Sequence, residues 1–152
     1  MEIKAGYVYH IDDSYFSKVN DPNLMKNKED GEERPMYCCI VDSKTSLLWM
    51  VPMSSKVEKY REIASHNIEK YGESLGIVMG KFDDKESAFL LQNIFPITSK
   101  YISHIHSRNN NPIPVSHNTM TEIDRRFGKI MALLKKGIKV VFPDVKKIEK
   151  IK

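Results

Sequence analysis

Apolar positions fall into short runs broken by polar clusters, and the densest runs lie within residues 34–60. Residues 37–42 and 46–53 are apolar and rich in strand-favouring types, and Asp42-Ser43-Lys44-Thr45 between them is a turn composition, so the stretch predicts a β-hairpin. Both runs are continuous rather than alternating, which predicts cover on both faces. Pro52 is expected to end the second strand, because it cannot donate to a ladder. A polar corner, Ser54-Ser55-Lys56, then opens an amphipathic helix to about residue 71. Its buried face is Val57, Tyr60, Ile63, Ala64, Ile68 and Tyr71, with Ser54 or Ser55 as N-cap and Gly72 as terminator.

The remaining pattern frames that centre. Residues 6–11 alternate as a first strand, and Asp12-Asp13-Ser14 can cap a helical turn over 16–19. Residues 20–33 read as a long polar loop, of the kind that is often functional. Residues 75–82 and 88–97 predict two strands around a charged turn at 83–87, and 98–105 a short capped helix. Residues 107–111 read as a loop and 112–116 as an edge-like segment. A long helix is expected over 119–136, with Thr119 and Glu122 as a capping box and Gly137 as C-cap. Its apolar stripe is Met120, Ile123, Phe127, Ile130, Met131 and Leu134; a last strand follows at 138–142. Strands and helices do not alternate regularly and no Gly-rich phosphate loop is present, which argues against a doubly wound sheet. The expected class is α+β, a strongly twisted, mostly antiparallel sheet or small barrel with helices outside, in one domain over 1–152.

Composition narrows this little. Of 152 residues, 41% are hydrophobic and 29% charged, ordinary for a globular protein. No apolar run approaches a membrane span and the N-terminus does not read as a signal peptide, so a cytoplasmic protein without membrane contact is expected. The two cysteines, Cys38-Cys39, are neighbours on a strand and point to opposite faces, which suits two small core residues better than a disulfide or chelate. Net charge is +4, but unevenly spread. Residues 21–33 are acidic and the last fifteen residues lysine-rich, which allows an anionic partner on one side.

Elimination leaves one kind of chemistry. His104-x-His106 is the only close histidine pair and has no carboxylate beside it in sequence, so no metal is expected. A serine hydrolase would need a G-x-S-x-G elbow, which is missing. A cysteine nucleophile would not sit mid-strand. What remains is a hydroxyl and cation cluster, Ser54, Ser55, Lys56 and Lys59, with Arg34 across the hairpin. Such donors at a helix N-terminus suit an anion, although an ordinary cap with a surface lysine has the same spacing.

Residues 52–60 (PMSSKVEKY), preceded by Arg34-Pro35-x-Tyr37 and followed by residues 88–98 (AFLLQNIFPIT), resemble the toxins of type III toxin–antitoxin systems, in particular the CptN branch, relatives of ToxN and AbiQ. The resemblance runs over essentially the whole chain. It implies a MazF/Kid-like, SH3-like barrel and a metal-independent endoribonuclease that needs no cofactor. The implied partner is a repeat-derived antitoxin RNA folded as a pseudoknot, which the toxin cuts from its precursor and joins in a closed toxin–RNA assembly. No protein antitoxin is expected; the substrate is single-stranded cellular RNA. Metal-free RNA cleavage needs the 2′-OH in line with phosphorus and donors on the developing phosphorane, leaving a 2′,3′-cyclic phosphate. By this resemblance Ser54, Ser55, Lys56 and Arg34 are the candidate catalytic residues. The serines orient and hydrogen-bond, since neutral hydroxyls are too weakly basic to serve as free bases. Lys56 stabilises charge and Arg34 grips phosphate. Tyr37, Lys59, Tyr60, Gln92 and Asn93 are candidate RNA contacts, and His66 is expected to face solvent. One departure stands out: ToxN relatives carry a proline between the hydroxyl pair and the lysine, whereas Lys56 follows Ser55 directly, leaving Lys56 and Lys59 both as site lysines. A non-catalytic RNA- or protein-binding barrel, and a MazF-type toxin with a protein antitoxin, are the other readings.

Overall fold

The hairpin at the centre of the sequence is also the centre of the fold. The computed structural model describes residues 2–151. In chain order the elements are β1 (Val8–Ile11), α1 (Asp13–Val19), β2 (Lys28–Glu29), β3 (Glu32–Glu33), β4 (Met36–Asp42), β5 (Leu47–Ser54), α2 (Val57–Tyr71), β6 (Ile77–Phe82), β7 (Lys85–Leu90), β8 (Phe95–Ile97), β9 (Ile102–Ile105), β10 (Ser107–Arg108), β11 (Asn111–Pro112), α3 (His117–Lys135) and α4 (Val145–Ile148). The main sheet has seven strands in the order β6-β7-β5-β4-β1-β9, with β8 also on β5, and its ladders are antiparallel. Strands β6 and β9 end the path, with no ladder joining them among the described residues. The class is α+β. No helix among these residues is long and apolar enough to cross a membrane.

Both faces of the hairpin are covered, as its continuous apolar runs predict. Tyr37, Cys39, Trp49, Val51 and Met53 enter one core with Ile123 and Ile130 of α3; Met36, Cys38, Leu48 and Met50 enter another with Tyr15 of α1 and Ile148 of α4. Adjacent cysteines thus lie in different cores, and both are free and buried. The register shifts between Cys38 and Ile40, a bulge that lets the hairpin bend. A third cluster, Tyr60, Ile77, Ala88 and Leu90, lies beneath α2.

Strand β5 runs through Pro52 instead of ending there. Its first half pairs with β8 (Leu48↔Ile97 to Met50↔Phe95) and its last residues with β7 (Met53↔Phe89, Ser54↔Ala88). The Met53 N–H points to Pro35 on the β4 side, so by alternation the missing N–H of Pro52 falls on the other side, between the two ladders. No ladder bond is lost.

Five expectations are corrected. Residues 88–97 are not one strand: a 3₁₀ turn, Leu91–Asn93, separates β7 from β8, and the Gln92 N–H bonds Gly76 O at 2.9 Å. Residues 98–105 form a 3₁₀ turn (Ser99–Tyr101) and then β9, because the edge of β1 offers Ile102, His104 and Ile105 a ladder that local propensity cannot register. Residues 138–142 form no strand; Val141 is buried there and the Phe142 N–H bonds Gln92 O at 2.8 Å. The long polar loop contains the hairpin β2–β3, turning at Asp30-Gly31, both with positive φ (53° and 83°). Helix α3 begins earlier than expected, with Ser116 as N-cap accepting from the Thr119 N–H, while Glu122 pairs with Arg125 and Arg126.

Candidate active site

The polar corner forms where β5 stops. Ser54 is the last residue of the strand and is held in the ladder to Ala88, so its side chain is fixed by the sheet. It is 2% exposed, whereas Ser55 and Lys56 are exposed. The Lys56 N–H at the start of α2 donates to Ser54 Oγ at 3.1 Å, so Ser54 serves the helix entry while Lys56 occupies the N-cap position.

Three donors of this corner converge on one carboxylate. Glu29, on β2, accepts from Ser54 Oγ (2.6 Å), Ser55 Oγ (2.8 Å) and the Ser55 N–H (3.0 Å). Arg34 adds an ion pair at 3.0 Å from the same side. Burial alone would raise the Glu29 pKa, but the three hydrogen bonds and then Arg34 overcome it and hold the carboxyl at about 2. Such an arrangement of two hydroxyls, an amide and a guanidinium is an anion-binding position, and here the protein fills it with its own carboxylate. Glu29 was not singled out in the sequence, where it is one acid among several in a loop 25 residues from Ser54. The Asp30-Gly31 turn signal was the one local clue.

Arg34 is in the site but not free in it. It is 5% exposed, with Nε donating to Lys26 O at 2.8 Å and Nη1 to Met53 O at 2.9 Å as well as to Glu29. It therefore straps the β2–β3 loop to the end of β5.

The corner opens onto a cleft of about 400 Å³ lined by Arg34, Ser54, Ser55, Phe82, His10 and His106, and by the acids Glu29, Glu32, Glu33, Asp83 and Glu86. The histidines come from distant segments: His10 on β1, His104 opposite it on β9, and His106 just beyond. His10 Nε2 and His106 Nδ1 are 2.9 Å apart, and the His10 and His104 rings stack with centroids at 4.7 Å. His106 Nε2 faces Asp83 Oδ2 at 3.4 Å, and His10 Nδ1 faces Glu33 Oε2 at 3.6 Å. Burial first, then the neighbouring His104 and His106 rings, lower the His10 pKa to about 4, so the ring is neutral at pH 7. The carboxylates absent beside the histidines in sequence are thus supplied by the fold.

The remaining candidates scatter. Tyr37 is 1% exposed and meets Phe89 edge-on (5.8 Å), so it offers no face to a base and is corrected to a core residue. Tyr60 is 7% exposed in the cluster under α2, with Lys59 Nζ over its ring at 5.3 Å. Gln92 and Asn93 occupy the 3₁₀ turn and do not line the cleft. Lys56 and Lys59 are exposed and do not line the cleft, and His66 is exposed on α2.

No protein-family model matches the chain, and no curated protein matches it. A solved structure similar to it is AbiQ, described as a lactococcal anti-phage endoribonuclease belonging to the type III toxin–antitoxin system, with TM-score 0.49 and 8% identity over 88% of this chain and 76% of that one. At that level the likeness carries no argument about function, which rests below on the residues.

Proposed function

We propose that the chain is a single-domain endoribonuclease toxin of the type III class, cutting single-stranded RNA without metal and restrained by an antitoxin RNA. The observation that supports this most is the convergence of Ser54, Ser55 and Arg34 on one anion position at the strand-to-helix corner, where the motif resemblance puts the scissile phosphate. In this reading an RNA phosphate displaces the Glu29 carboxylate and takes its hydrogen bonds. The Ser54 and Ser55 hydroxyls and the Ser55 N–H orient it, Arg34 Nη1 offsets its charge, and Lys56 or Lys59 stabilises the phosphorane. Glu29 itself is too weak a base, at a pKa of about 2, to take the 2′-OH proton.

The CptN-branch assignment, the SH3-like barrel, the pseudoknot antitoxin in a closed toxin–RNA assembly and a cytoplasmic site of action belong to the same proposal and follow from the motif resemblance. The chain is tested by incubating it with single-stranded RNA in excess EDTA and analysing the fragment ends. Sequence-selective cuts ending in 2′,3′-cyclic phosphate, lost in Ser55→Ala, are expected. RNA binding without cleavage would replace this reading with a non-catalytic RNA-binding module.

A further inference from the structure

The histidine cluster beside the cleft has a geometry that the proposed ribonuclease chemistry does not use. His10 is 8% exposed, and its Nδ1 is buried with no hydrogen-bond partner among the described residues. A buried imidazole nitrogen without a partner is destabilising and calls for an explanation.

One set of tautomers fits the partners of the rings. Asp83 accepts only, so His106 Nε2, facing it at 3.4 Å, carries the proton. With its proton on Nε2, His106 can accept at Nδ1 from His10 Nε2, 2.9 Å away. In that tautomer His10 Nδ1 carries a lone pair, with the Glu33 carboxylate 3.6 Å away. A cation between the two groups would satisfy both in that arrangement. His104, stacked on His10, has its Nδ1 held by Ser103 Oγ at 2.9 Å, which leaves its other nitrogen available. One donor atom each from His10, Glu33 and His104 lie within 4.8 Å of one another.

We propose that His10, Glu33 and His104 bind a divalent transition-metal ion of the zinc type. Two imidazoles and one carboxylate are a borderline donor set suited to Zn²⁺, with a fourth position open to water. Bonds of about 2.0–2.2 Å put neighbouring ligand atoms of a tetrahedral ion about 3.3–3.5 Å apart, close to the separation of His10 Nδ1 and Glu33 Oε2. The Glu33 side chain is 51% exposed and free to close the rest of the distance. Each histidine also has its second nitrogen engaged, His10 through His106 to Asp83 and His104 on Ser103, as metal-bound histidines regularly do. The ion joins β3 to β1 and β9, clamping the acidic hairpin that carries Glu29 over the corner. It takes no part in RNA cleavage.

The test uses untagged, EDTA-stripped protein alone, so its outcome is independent of the ribonuclease reading. Calorimetric titration with Zn²⁺ should show one equivalent bound, and Co²⁺ should develop the visible absorption of a tetrahedral ion. Second-sphere changes cost about 10–100-fold in metal affinity, and loss of a ligand should cost at least that in Glu33→Gln and His104→Gln. Both residues are exposed, so the variants should keep the wild-type unfolding temperature without metal. His66→Gln, on α2, should bind as wild type. Absence of uptake, uptake unchanged in the Glu33 and His104 variants, or equal loss in His66→Gln would overturn the assignment.

Discussion

Replacing Glu29 by Gln separates the two things this carboxylate does. Its pKa lies at about 2 against an ordinary 4.5, a displacement equivalent to about 3 kcal/mol, and water reaching the open cleft reduces this to about 2 kcal/mol. Because the folded value is the lower one, this stability is fully present above pH 4.5 and is lost as pH falls towards 2. Glu29→Gln should therefore lower the melting temperature at pH 7 by about 4–8 °C, and should flatten the acid limb of the stability profile. At the same time it removes the anion that RNA must displace. If an incoming phosphate no longer competes with about 2 kcal/mol of internal binding, affinity should rise by about 10–30-fold. Fluorescence anisotropy with a 2′-O-methyl oligonucleotide, which has no 2′-OH to attack, reads affinity without cleavage. A less stable protein that binds RNA more tightly is the expected outcome. Loss of cleavage with unchanged RNA affinity would refute the reasoning, because Glu29 would then be acting as a base; so would a variant unchanged in both stability and affinity.

Three further outcomes are expected. Lys56→Ala should fold normally, since the side chain is exposed and only its backbone N–H serves the corner, yet abolish growth arrest on expression; a fully toxic variant would remove Lys56 from the site. RNA affinity should fall steeply with salt, with a log–log slope of about −0.7 per phosphate contact on a single strand, and a flat profile would argue against phosphate binding. Gly76→Ala should destabilise by about 1–3 kcal/mol, because the new Cβ would lie 2.8 Å from Gln92 Cβ and 3.2 Å from its backbone, a clash that denaturant unfolding measures directly.

What could be read in advance follows the range of the interactions. The central hairpin, the opposite cores of Cys38 and Cys39, and α3 with Ile123 and Ile130 inward all rest on spacings of two to four residues, which a sequence displays. The Ser54–Ser55 corner was legible for the same reason. Its occupant is not: Glu29 meets Ser54 and Ser55 across 25 and 26 residues, and the Asp30-Gly31 turn signal beside it does not set it apart from Glu32 or Glu33. The histidine cluster spans more still, with His10 and His106 separated by 96 positions and joined only because β9 pairs with β1. Residues 98–105 carry no strand signal for the same reason, since a strand made by its partner has no pattern of its own.

Strand β5 lies between β4 on one side and β8 then β7 on the other, and so can be freed only by breaking several ladders at once. The hairpin β2–β3 has two residues per strand and stands apart from that sheet. Amide hydrogen exchange should divide along this line. Amides of β5 leading up to Ser54 should exchange only through global unfolding, while those around Glu29 exchange through local opening. The donors of the anion site are thereby kept preformed on a slow clock, and access to them is set by a fast one.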